Sequence, residues 1–120
     1  MATILIVEDE AFVRKIAEMT IEDLGHDTLS AGDVGHALVH LLASQNIDAL
    51  FVDIRLSTLA LGGYDVADQA IKLRPNIRVL YTSGGVLTDK MTELFVDGGQ
   101  FLQKPYSPAA LQFSLGDLLQ

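Results

Sequence analysis

Cysteine is absent from this chain. Its absence excludes disulfides, thiolate metal sites and thiol catalysis, and fits a reducing compartment. Missing too is any apolar run near the ~20 residues that a membrane span needs. No basic segment precedes the first apolar stretch, which follows directly on Met1-Ala2-Thr3, so no secretory signal peptide is expected. Positive charge is scarce: eight Lys and Arg against sixteen Asp and Glu give a formal net charge of -8. The basic residues are scattered, whereas nucleic acid and anionic membranes require them clustered, so neither is an expected partner. There is no linker, low-complexity tract or repeat. With 120 residues, 49% of them hydrophobic, the chain is expected to form one domain, residues 1–120, with its own core.

What is present is an alternation of short apolar runs with helical periodicity. Residues 3–7 read as a first strand. Residues 10–24 read as a helix with Val13, Ile16, Ala17, Thr20 and Leu24 on one face, closed by Gly25 in a left-handed cap. A weaker strand covers 26–31. Asp33 is a good N-cap for a helix running to about Ser44, with Val34, Ala37, Leu38, Leu41 and Leu42 inward. The third strand is 48–53, followed by a loop over 54–63 and a helix from Tyr64 to Leu73, with Pro75 just past it. Ile77 to Thr82 is the fourth strand. Thr88 caps a short helix carrying Met91, Leu94 and Phe95 inward, and Gly98-Gly99 ends it. The last strand is 100–103. Ser107 and Pro108 open a final helix with Leu111, Leu115, Leu118 and Leu119 buried. Five strands alternating with five helices make right-handed βαβ units, hence an α/β fold with a doubly wound parallel sheet.

Chemistry gathers at the carboxyl ends of these strands. Asp53 ends the apolar run Ala49-Leu50-Phe51-Val52, and Glu8 and Asp9 end Ile4-Leu5-Ile6-Val7. Lys104-Pro105 ends Phe101-Leu102-Gln103, and Ser83-Gly84 ends the fourth strand. A carboxylate at the end of a core strand is rare unless it is paired or functional, and ligands of open α/β sheets bind at this edge. Three close carboxylates repel, and a divalent cation or the Lys104 ammonium relieves them. Oxygen-only ligands select a hard ion, Mg²⁺ or Mn²⁺. Such a site suits phosphoryl transfer onto a carboxylate oxygen, with Ser83 and Lys104 binding phosphoryl oxygens and Gly84 leaving them room.

Taken together these segments resemble the response regulator receiver domain, the phosphorylated partner of sensor histidine kinases. The resemblance runs from Thr3 to Leu119. It rests on Ile4-Leu5-Ile6-Val7-Glu8-Asp9-Glu10, Phe51-Val52-Asp53-Ile54-Arg55-Leu56, Leu80-Tyr81-Thr82-Ser83-Gly84 and Phe101-Leu102-Gln103-Lys104-Pro105, in that order. It implies a flavodoxin-like sheet of strand order 2-1-3-4-5. It implies Asp53 as phosphoacceptor, Asp9 as a direct Mg²⁺ ligand, Glu8 as a ligand through water and the Arg55 backbone carbonyl as a third protein ligand. Ser83 resembles the switch hydroxyl, with Thr82 its rival, and Phe101 the switch aromatic. Lys104 resembles the family's lysine, and its bond to Pro105 is expected to be cis. The implied partners are a sensor histidine kinase or a histidine phosphotransfer protein, with an effector or a second copy on the last two helices, and the implied location is cytoplasmic.

Some positions depart from that pattern. Ser57-Thr58-Leu59-Ala60-Leu61 stands where such domains usually carry a proline, and the loop to Gly63 looks about two residues longer than usual. In the family, the positions held here by Arg55 and Gly85 tune how fast the phosphoryl group is lost. His36 and His40 lie one helical turn apart and could form a metal pair, but a solvated helix face is the plainer expectation; His26 is expected at a loop or strand edge. Tyr106 and Phe113 are either plain surface aromatics or part of a docking face. Two other readings stay open. One is a receiver excised from a larger protein such as a hybrid kinase, since no effector segment follows Gln120. The other is a Mg²⁺-dependent phosphatase with an aspartyl nucleophile, although Arg55 stands where such enzymes usually carry a second acid. A phosphate-free interaction module would need neither the acids, the serine nor the lysine.

Overall fold

The computed structural model describes residues 1–43, 45–57 and 59–120. The expected helix end at Ser44, and Thr58 of the loop, lie outside them. Ten elements alternate: β1 (Thr3–Val7), α1 (Ala11–Asp23), β2 (Asp27–Ala31), α2 (Val34–Leu42), β3 (Ala49–Asp53), α3 (Gly62–Leu73), β4 (Arg78–Ser83), α4 (Asp89–Glu93), β5 (Gln100–Gln103) and α5 (Pro108–Leu118). The strands form one parallel sheet in the order β2-β1-β3-β4-β5. This is the doubly wound parallel sheet that the alternating pattern predicts, in the flavodoxin-like strand order that the resemblance implies.

Successive strand residues face opposite sides of the sheet, and both sides are apolar. Leu5, Val7, Leu50, Val52, Val79 and Tyr81 pack with Ala37 and Leu41 of α2 and with Val66, Ala67 and Ala70 of α3. Ile4, Ile6, Ala49, Phe51 and Leu80 pack with Ala17 and Ile21 of α1 and with Leu111, Leu115 and Leu118 of α5. Burying each Val, Leu or Ile side chain among these contributes about 1.5–3 kcal/mol, and coverage on both faces is what rewards continuous rather than alternating apolar strands.

The caps follow from local chemistry. Asp33, Thr88 and Ser107 each accept an N–H three residues on, from His36, Met91 and Ala110. Gly25 (φ 94°) turns the chain out of α1 in the left-handed region that glycine tolerates. Three helical positions expected inside lie outside. Ile16 and Leu42 are 47% and 69% exposed, because each residue turns a helix by about 100° and places them roughly that far from Ala17 and Leu41, the centres of their buried faces. Ile21, overlooked in the sequence, occupies the inner face instead. Leu94 is 48% exposed because α4 ends at Glu93 and Leu94 is its C-cap. Helix α3 starts at Gly62, two residues before the expected Tyr64.

Candidate functional site

Sheet register assembles the site. β1 pairs with β3 up to Val7 opposite Val52, so Glu8 and Asp9, just past β1, come beside Asp53. β3 pairs with β4 up to Asp53 opposite Thr82. β4 pairs with β5 up to Ser83 opposite Gln103, which carries Lys104 to the same edge. Residues far apart in sequence thus share one open cleft, lined by Asp9, Asp53, Arg55, Ser57, Ser83, Gly84, Gly85 and Lys104 among others.

Within it, one oxygen from each of Glu8, Asp9 and Asp53 lies within 4.8 Å of the others. Glu8 and Asp53 are buried and Asp9 is half-buried. The Lys104 ammonium donates to Glu8 Oε1 at 2.6 Å and to Asp53 Oδ2 at 2.9 Å. Burial pushes the Glu8 carboxyl up to about 7, against the pull of the Lys104 hydrogen bond. For Lys104, burial works downward, but its bonds to the two acids prevail and the net shift is upward. The donor set is all oxygen, anionic and partly counterbalanced by one ammonium, which suits a hard divalent cation and excludes a soft one.

The two candidate hydroxyls separate by strand alternation. Thr82 lies on the α1–α5 side with Leu80, is 3% exposed, and donates its hydroxyl to the Leu102 carbonyl at 2.6 Å. Ser83 points to the other side and lines the cleft; its Oγ accepts the Gly85 N–H at 3.2 Å. Phe101 is half-buried and stacks on Phe95, with ring centroids 6.3 Å apart. Phe95 in turn stacks on Tyr81 at 4.1 Å, and the Tyr81 hydroxyl accepts the Val96 N–H. Burial raises the Tyr81 phenol to about 12. Arg55 is exposed, and the Lys104–Pro105 peptide is cis.

Three contributors were not visible in the sequence. The Arg14 guanidinium donates to the Glu8 carbonyl at 2.8 Å and so braces the acidic loop. The Ser57 N–H donates to Asp9 Oδ2 at 2.8 Å; the missing proline was the one available hint. Gly63 packs its bare α-carbon against the end of β3, and its N–H donates to the Ile54 carbonyl at 2.8 Å. The histidines stay apart from this site. His36 pairs with Asp33, the His40 ring meets the Ser30 carbonyl, and His26 Nδ1 accepts the Ala2 N–H. Tyr106 is half-buried, edge-on to Phe51, and Phe113 is 78% exposed.

A parallel sheet in this order thus brings acids and a lysine together on its carboxyl edge. The chain belongs to the response regulator receiver domain family, whose sequence profile matches residues 4–115. It is 29% identical over 117 residues to a probable transcriptional regulator ycf27 of Guillardia theta, covering 98% of this chain and 45% of that protein. It is 28% identical over 119 residues to the autoinducer 1 sensor kinase/phosphatase LuxN of Vibrio campbellii, covering 98% of this chain and 13% of that one. The crystal structure of a response regulator receiver protein from Sinorhizobium medicae superposes with a TM-score of 0.88 at 29% identity, over 98% of this chain and 94% of that one. The chain thus spans less than half the length of these curated relatives.

Proposed function

We propose that Asp53 accepts a phosphoryl group from a phosphohistidine on a sensor histidine kinase or a histidine phosphotransfer protein, in a Mg²⁺-dependent reaction. An Asp53 carboxylate oxygen attacks phosphorus, the P–N bond breaks, and its electron pair stays on the imidazole nitrogen, which takes up a proton. The product on Asp53 is an acyl phosphate. The observation that carries this reading is the convergence of three carboxylates and one ammonium at a single sheet edge.

Asp9, Asp53 and the Arg55 carbonyl would hold the metal, with Glu8 acting through water. When bound, Mg²⁺ would neutralise charge on the transferring group. The protein's own groups do the remainder. Lys104 already spans Glu8 and Asp53 and can pass to a phosphoryl oxygen as a point charge. Ser83 supplies a hydroxyl donor from the cleft wall, and Gly84 adds no side chain beside it. The new oxygens draw Ser83 and Lys104 toward them. The segment after β4, with Phe95 and Phe101, then repacks as a population shift. An effector or a second copy would read that change on the last two helices, where Leu94 and Phe113 are exposed. The chain is read as a signalling phosphoacceptor, not a phosphatase, because an exposed Arg55 occupies the position two residues after Asp53.

The test is acetyl phosphate with Mg²⁺, followed by intact mass. A mass gain of one phosphoryl group that requires Mg²⁺ and vanishes in Asp53→Ala supports the proposal. Continuous hydrolysis of a small phosphoester without an adduct, or no adduct at all, overturns it.

A further inference from the structure

The loop after β3 contributes a group that the reading above does not use. Leu56 and Leu59 close a tight antiparallel turn: the Leu56 N–H donates to the Leu59 carbonyl at 3.0 Å and the Leu59 N–H to the Leu56 carbonyl at 2.9 Å. Leu56 is 1% exposed and anchors the turn in the core. Ser57 has φ 58°, the one positive φ outside glycine among the described residues. A serine does not enter the left-handed region without a compensating interaction. Here the interaction is visible. The Ser57 N–H donates at 2.8 Å to Oδ2 of Asp9, 48 residues earlier in the chain. A bond from an amide to a carboxylate is charge-assisted and strong.

We infer that the Ser57 main-chain N–H is a positioning group for the cation site, fixing the Asp9 carboxylate through Oδ2 and leaving its other oxygen to serve as ligand. The inference rests on reading Glu8, Asp9 and Asp53 as a Mg²⁺ site. Carboxylates that ligate metals are themselves commonly held by outer hydrogen bonds, and losing such a partner typically lowers metal affinity about 10–100-fold. Asp9 needs this support more than its neighbours do, since Lys104 grips Glu8 and Asp53 and no Lys104 contact reaches Asp9 among the described residues. The role belongs to the backbone, so what matters at position 57 is an N–H and tolerance of positive φ. Proline offers neither, having no N–H and φ fixed near about −65°.

The experiment uses Mg²⁺ alone, titrated calorimetrically into the metal-free chain, with Ser57→Pro and Ser57→Gly beside the wild type. Ser57→Pro is expected to weaken Mg²⁺ binding by about tenfold or more. Ser57→Gly keeps the donor and favours the turn, so it is the rescue variant and binds as the wild type does. In the wild type, NMR follows hydrogen exchange of the Ser57 amide, which is expected to stay protected before and after Mg²⁺ is added. Equal affinity in Ser57→Pro, equal weakening in both variants, or loss of amide protection on adding Mg²⁺ overturns the inference. The amide measurement decides the matter alone if Ser57→Pro does not fold. A wild type that binds no Mg²⁺ overturns the site reading and this inference with it. A wild type that binds Mg²⁺ and takes up phosphoryl, but is indifferent to proline at 57, overturns only the inference.

Discussion

Gly63 touches the backbone of Asp53. A Cβ placed on Gly63 would overlap the Asp53 carbonyl oxygen and come within 2.5 Å of the Ile54 α-carbon. The first turn of α3 is thereby seated directly on the end of β3. Ile54 and Leu56 lie beneath it, 6% and 1% exposed.

Gly63→Ala is therefore expected to destabilise the protein, although alanine is the better helix former. The obstacle is main chain, which cannot rotate aside, so the cost should resemble overpacking, about 1–3 kcal/mol. Urea unfolding checks it, and an unchanged or raised midpoint contradicts it. The same substitution should slow the proposed phosphorylation of Asp53, because the clash moves the carbonyl of that residue.

Lys104→Met tests the ammonium. Removing it leaves Glu8 and Asp53 facing each other without their cation. Breaking a fully buried pair costs about 3–5 kcal/mol; here the loss should be smaller, since the Lys104 side chain is 20% exposed and Glu8 can take up a proton. At about pH 7 the variant should be less stable than the wild type, and at about pH 5 the gap should narrow as Glu8, whose carboxyl burial pushes up to about 7, takes up its proton. Parallel pH profiles for the two proteins would refute the argument.

Stability of the metal-free protein should depend on pH through Glu8. Its carboxyl titrates near 4.5 in the unfolded chain and is pushed up to about 7 by burial in the folded one. Between those values the folded state retains a proton that the unfolded state has released. This contribution to stability is therefore present at low pH and is lost as pH rises through the window. Asp33, held low by the His36 N–H, acts only in more acidic solution. A dication opposes the loss, so Mg²⁺ should raise the urea midpoint more at about pH 8 than at about pH 5. Equal gains at both pH values would contradict the assignment.

Thr82 and Ser83 should behave differently. Thr82→Val leaves the Leu102 carbonyl without its donor and should cost about 1–3 kcal/mol, with phosphorylation-dependent shifts preserved. Ser83→Ala should alter stability by no more than about 0.5 kcal/mol yet abolish phosphorylation-dependent NMR shifts in 88–96. Reversal of the two phenotypes would assign the switch hydroxyl to Thr82.

Much of this was legible in the linear chain, because strand ends are where apolar runs meet charge. Asp53, Glu8, Asp9 and Lys104 could be marked on that basis, and parallel pairing does bring them together. The helix caps at Asp33, Thr88 and Ser107 were equally plain, being local hydrogen-bond chemistry. Ile16 and Leu42 misled because hydrophobicity marks a face only to within a residue or so, and Leu94 because α4 ends just before it. The Ser57 N–H and the bare surface of Gly63 left almost no trace, since backbone donors and close approaches depend on the folded path and not on residue type. That Ser83 lines the cleft while Thr82 faces the α1–α5 side likewise depends on strand alternation in the folded sheet.

Lys104 follows directly on β5, a strand bonded to the sheet along β4 only. The counter-charge that keeps Glu8 and Asp53 tolerable at close quarters is thus tethered to a margin of the sheet, where fraying begins. Should that margin peel away, even briefly, the acids would lose their ammonium and mutual repulsion would rise at once. Electrostatics therefore works as a latch on the outermost strand, and whatever engages Lys104 from outside also loosens that latch.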